Sequence, residues 1–259
     1  MRGNRFAFPP FRPINPSDPV PTPMEPDPHT SRQFDAALDQ VRSRVLLMGR
    51  LVEQQTRDAM KALISGDLDL VDHVIRTEGE VNQLEITLDE LCASVIARRH
   101  PAAVDLRMLV MIFKIITDIE RIGDQAKKIA LIVQQLYADG RFHSLRYGQV
   151  ERVAEIVLGM LRLSLEAFAR FDPANTPIVV RRDMEVDEQF KLILRHLLTY
   201  MIEDPRTISE SLDIIFVAKA LERIGDHATN MCEYVVYMTS GQDVRHGTLE
   251  DVERALRPG

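Results

Sequence analysis

Two pairs of carboxylates hold the chemistry open to this chain. Glu120 and Asp124 stand four residues apart in the segment ERIGD, and Glu222 and Asp226 repeat that segment letter for letter. On a helix, positions four apart share a face about one turn apart. Each pair therefore directs two carboxylates the same way. Like charges at this spacing cost roughly 0.2–0.5 kcal/mol even when solvated, and more when partly buried. Gly123 and Gly225 sit inside the pairs. Glycine within a helix costs about 1 kcal/mol against alanine, so both positions point to close approach by another group. Two further polar pairs lie upstream, Glu78 with Asn82 in VIRTEGEVN and Asp183 with Asp187 in VVRRDMEVD.

These upstream pairs interrupt apolar stripes at positions where Leu or Ile is expected. Two compensations are open to the ERIGD carboxylates. One is an ion-pair network, for which Arg76, Arg121, Lys127, Lys128, Arg181, Arg182 and Arg223 are candidate partners. The other is a metal site, since two antiparallel helices with carboxylates at i and i+4 can surround a cation with oxygen donors. Such donors suit Mg, Mn or Fe. His227 is a candidate extra ligand, although Gln125 takes its place in the first copy. No Glu-x-x-His and no His-x-x-x-His pair occurs, which counts against a di-iron oxidase and a zinc hydrolase. Phosphate-binding loops, dinucleotide fingerprints and nucleophile elbows are also missing. A chain without enzymatic activity is expected.

The elements that must position these residues follow from apolar periodicity and from glycine and proline punctuation. Helices are expected from an N-cap at Thr30–Ser31 to Gly66, and over about Leu68 to Ala97, Ala102 to Tyr137, Gly148 to Phe171, Ile178 to Ile202 and Ile208 to Ser240. A short helical tail follows. DIERIGDQA at 118–126 matches ALERIGDHA at 220–228, and the upstream pair matches in the same order at nearly the same offset, so the unit is duplicated. The expected fold is all-α, with two tandem three-helix bundles at 31–141 and 146–241. They are flanked by a disordered proline-rich segment at 1–30 and a tail at 242–259.

The chain has 259 residues, 45% hydrophobic, with a formal net charge of −7. That balance argues against general nucleic-acid binding. Cys92 and Cys232 read as two small buried thiols in a reducing cytosol. The N-terminal segment lacks the apolar core of a signal peptide, and the longest apolar run, MLVMIF at 108–113, is far too short to span a membrane. That run is either deep core or a partner face. A cytoplasmic protein is expected.

PAAVDLRMLVMIFKIITDIERIGDQAKKIA at 101–130, HVIRTEGEVNQLEITLDE at 73–90 and ALERIGDHATNMCEYVVYMTSG at 220–241 resemble the signatures of the PhoU family of phosphate-signalling regulators, and the likeness runs from about Ser31 to Gly241. The resemblance implies two tandem three-helix bundles, a homodimer, and E/D-x-x-x-D motifs that hold metal ions or clusters on the bundle surface. It implies negative regulation of phosphate uptake and of the phosphate-starvation response. It also implies partners, the ATPase subunit of the phosphate ABC transporter and a sensor histidine kinase, through which alone the chain would meet the membrane. The metal-site residues carried over are Glu78, Asn82, Glu120, Asp124, Asp183, Asp187, Glu222 and Asp226, with Fe, Mn, Mg or Zn as the ion and no organic cofactor. Asn82 departs from the pattern by supplying a carbonyl without charge, which weakens the expected first-half site; Glu85, three residues on, is its candidate substitute. The alternatives are a metal-dependent helical-bundle enzyme and a metal-free interaction adaptor.

Overall fold

Helix follows the punctuation of the sequence closely. The structure, a computed structural model, describes residues 28–99, 101, 103–140, 148–245 and 247–256, with side chains from Phe34 onward. Seven α-helices appear among the described residues: α1 (Pro28–Ser65), α2 (Leu68–Arg99), α3 (Ala103–Ala138), α4 (Gly148–Arg170), α5 (Thr176–Glu203), α6 (Ile208–Ser240) and α7 (Leu249–Ala255). Gly66 ends α1 in left-handed backbone (φ 71°), and the Asp67 carboxylate accepts the Asp69 N–H at 2.9 Å to open α2.

Two boundaries differ from the sequence expectation. α1 starts at Pro28, so Thr30 and Ser31 lie inside the helix; proline is accommodated in a first turn, where its missing N–H is not needed. α5 starts at Thr176 for the same reason, with Pro177 in its first turn, and the expected break shrinks to one 3₁₀ turn at Pro173–Asn175. The short helical tail is α7, opened by a capping box between Thr248 and Asp251. Of the segment 1–30 expected to be disordered, only its last three residues are described, within α1; the rest lies outside the described residues.

α1–α3 and α4–α6 are the two three-helix bundles, and they share one apolar core. α3 packs along α6, and α1 against α4. Both pairs run antiparallel: Arg107 near the start of α3 reaches the Met238 carbonyl near the end of α6, and Arg162 of α4 donates to Glu53 of α1 at 2.8 Å. The run MLVMIF contributes Leu109, Met111 and Ile112 to this core and leaves Val110 exposed. It is mainly interior. Cys92 and Cys232 are free, buried thiols, each pushed up to about 12 mainly by burial. No described helix is long and apolar enough to cross a membrane.

α6 ends at Gly241, in left-handed backbone (φ 73°). The Arg107 guanidinium lies against this end and stacks over the Tyr237 ring at 5.6 Å, setting a cation at the negative pole of the helix. A methyl group at Gly241 would lie 2.7 Å from Arg107 Nη1. Gly241→Ala is therefore expected to destabilise the fold by about 1–2 kcal/mol from the left-handed backbone, read as a lower urea midpoint at unchanged slope.

Candidate functional site

Glu78 replaces an apolar residue on the inward stripe of α2, between Val74 and Val81. Its exposure is 1%. α3 makes room for it: a methyl group at Gly123 would lie 2.7 Å from Glu78 Oε2. The glycine inside the first ERIGD thus leaves the space that the carboxylate arriving from α2 takes up. Across from Glu78, α3 presents Glu120 and Asp124. One carboxylate oxygen from each of the three residues falls within 4.8 Å of the others.

No ordinary partner resolves this concentration of charge. Among the described residues, no ion pair joins Glu78, Glu120 or Asp124 to a lysine or arginine. Glu78 Oε1 and Asn82 Oδ1 are buried without a hydrogen-bond donor. Burial raises the Glu78 pKa, a hydrogen bond from Gln55 lowers it, and Asp124 and Glu120 raise it further while Lys127 opposes them. Burial, then Asp124 and Glu85, raise that of Glu120, against Arg121 and His227. Glu85 is raised by burial and by Asp89, Asp124 and Glu78, which places it at the edge of the same field. Buried, unpartnered acceptor oxygens beside convergent carboxylates are the environment an oxygen-coordinated cation needs. The residues present fit such an ion.

The second constellation combines Asp183 and Asp187 of α5 with Glu222 and Asp226 of α6. Asp183 is half-buried, and its pKa is pushed up to about 7 by burial and then by Asp226 and Asp187, eased by the Thr229 hydroxyl. Asp226 is raised by burial and Glu222, with Lys219 opposing. Lys219 forms an ion pair with Glu222 and lies over the Phe190 ring at 5.5 Å. The second glycine is under less constraint, since a methyl at Gly225 would meet Asp183 Oδ1 at 3.4 Å, an ordinary contact.

Several expectations change against this geometry. The first half, expected to be the weaker site because of Asn82, is where three acidic ligand groups converge within 4.8 Å. His227 is engaged elsewhere: its Nδ1 lies 2.7 Å from Asp118 Oδ1 of α3, across the bundle interface. Of the basic residues weighed as neutralising partners, Arg181 pairs with Glu253 of α7, and Arg182 Nη1 lies 2.8 Å from where a methyl at Gly159 would stand. Lys219 and Gln55 lie outside the sequence expectation, although Lys219 stands three residues before Glu222. Gln55 carried the same signal as Glu78, a polar residue on the apolar stripe that continues Met48, Leu51 and Val52. A cavity of about 710 Å³ lies away from both constellations, lined by Ile193, His196, Leu197, Tyr200 and Ile214 among others.

Comparison with known proteins agrees with this duplicated architecture. The PhoU domain model matches residues 45–133 and 150–235. A Pseudomonas putida protein named phosphate-specific transport system accessory protein PhoU homolog is 44% identical over 243 residues, covering 89% of this chain and 94% of its own length. The Escherichia coli K12 phosphate-specific transport system accessory protein PhoU is 40% identical over 228 residues, covering 88% and 94%. The crystal structure of PhoU from Pseudomonas aeruginosa superposes with a TM-score of 0.78 at 46% identity, covering 81% of this chain and all of that one. The phosphate transport system regulatory protein PhoU from Streptococcus pneumoniae gives 0.75 at 27% identity, covering 82% and 99%.

Two outcomes follow from the site's packing. Gly225→Ala is expected to stabilise the metal-free protein by up to about 1 kcal/mol through helix propensity, whereas Gly123→Ala, which forces Glu78 to move, is expected to gain nothing or to destabilise. Paired thermal melts distinguish them. The second outcome concerns pH. Because the native pKa of Asp183 is raised to about 7 from its ordinary 3.8, the folded chain holds this proton where the unfolded chain has lost it. Its contribution to stability therefore grows as pH falls from above 7 towards 4 and is lost as pH rises through 7. Metal-free protein is expected to gain stability between pH 8 and pH 5, and Asp183→Asn to reduce that gain.

Proposed function

The chain belongs to the PhoU family, and on that premise we propose that it is a cation-carrying accessory regulator of phosphate transport. It restrains phosphate uptake and the phosphate-starvation response by coupling the ATPase subunit of the phosphate ABC transporter to a sensor histidine kinase, and it works in the cytoplasm as a homodimer. The relatives' names, which describe accessory and regulatory proteins of phosphate transport, support the regulatory part. They also agree with a role that is not catalytic.

The cation part rests on one geometric observation: Glu78 is buried with an unpartnered oxygen beside Glu120 and Asp124. In the first half Glu78, Glu120 and Asp124 would hold the ion, with the Asn82 carbonyl beside them. In the second half Asp183, Asp187, Glu222 and Asp226 would do so. An all-oxygen donor set favours Mg, Mn or Fe and disfavours Zn, which prefers nitrogen and sulfur ligands. A bound cation would turn an acidic face into one that accepts phosphate or the acidic groups of a partner.

Elemental analysis of protein purified without chelator is expected to find stoichiometric metal that is lost when Glu120, Asp124, Glu222 and Asp226 are changed to alanine. Metal-free wild type would reduce the chain to an adaptor that acts through protein contacts alone. Deleting the gene is expected to raise phosphate uptake in phosphate-rich medium, and unchanged uptake would overturn the regulatory part.

A further inference from the structure

Resting on the cation reading above, we infer that Gln55 of α1 is the positioning residue of the first-half site, holding Glu78 in the orientation a cation needs, and that the second half has no amide in the matching place. Gln55 is fully buried. Its Nε2 donates to Glu78 Oε2 at 2.9 Å and to the Val74 carbonyl at 3.2 Å. Both neighbours are acceptors, so the amide can present only its nitrogen to them; the reverse orientation would set its oxygen against a carboxylate and a carbonyl. Both N–H groups are thereby used on α2. The same amide clamps one carboxylate oxygen and leaves the other, Glu78 Oε1, buried and without a donor. A buried carboxylate held by one oxygen and bare at the other is organised to receive a cation.

The internal repeat supplies a control within the same chain. The atoms nearest a methyl group at Gly123 belong to Glu78, Gln55 and Val52, and those nearest one at Gly225 belong to Asp183, Met160 and Val157. Position by position the two surroundings correspond, with Glu78 matched by Asp183, Val52 by Val157, and Gln55 by Met160. Methionine has nearly the volume of glutamine but no N–H to donate. The duplicated scaffold therefore accepts an apolar residue at this point, so packing alone does not demand the amide. Its presence beside Glu78 is tied to the carboxylate.

The test uses the full chain carrying Asp183→Asn and Asp226→Asn, so that manganese(II) binding reports on the first half. Gln55→Met, which installs the residue of the second half, is expected to weaken manganese binding about 10–100-fold, the usual effect of losing a ligand's hydrogen-bond partner. Without metal the variant should still unfold in one cooperative transition, at a lower temperature because Glu78 loses its one donor, and the bound-manganese EPR spectrum should change. Affinity within twofold of the parent would overturn the inference. A parent that binds no manganese at all would instead overturn the cation reading on which it rests. A second readout needs no variant: in wild-type protein, the side-chain ¹⁵N amide signal of Gln55 is expected to shift on addition of magnesium. A signal that stays put while magnesium binds would also overturn the assignment.

Discussion

The packing of α3 along α6 is the constraint on which the other features depend. Each helix belongs to a different bundle, yet their buried faces merge into one core. Asp118 with His227 and Arg107 with the end of α6 fix their register at two points. Once the inner faces are committed to each other, the rotation of both helices is settled. The acidic pair of α3 then turns towards α2, and that of α6 towards α5. Each constellation lies within one bundle, and the shared core of α3 and α6 holds the two in a fixed relation.

The cost of the acidic constellations lies in burial. A carboxylate taken out of water loses hydration that a protein replaces with donors, a counter-charge or a proton. At Glu78 one donor is present, from Gln55, and no ion pair. At Asp183 the balance tips towards the proton, with a pKa of about 7. Both outcomes leave a carboxyl group without a counter-charge, and both occur where two helices meet. Departures from good folding rules thus recur in both repeats, at Glu78 and at Asp183.

Duplication did not leave two copies of one site. Asn82 stands against Asp187, Gln55 against Met160, and the interface pair Asp118–His227 stands against Ala220 and Gln125. The first half carries less charge and more neutral hydrogen-bonding groups. The second carries four carboxylates, one of them tied to Lys219. The chain thus presents two related acidic faces with different demands on what neutralises them.

Much of this was legible from the residues alone, because it depends on interactions over a few positions. Glycine and proline mark where helices stop, and a 3.6-residue period sets which face is apolar. A spacing of four puts Glu120 with Asp124, and Glu222 with Asp226, on shared faces whatever surrounds them. The anomaly at Glu78 was equally visible, as an acid on an apolar stripe. Tertiary structure decided which distant group each of these meets. Many basic residues stood close enough in sequence to be plausible partners, yet long side chains reach in several directions, and only the rotation of each packed helix selects among them. That rotation gave Glu78 to Gln55 and His227 to Asp118. It also set a glycine under Glu78 because a methyl group there would occupy the carboxylate's place. Periodicity carries no information on such pairings, since they join residues tens of positions apart through a core that exists only once all six long helices have packed.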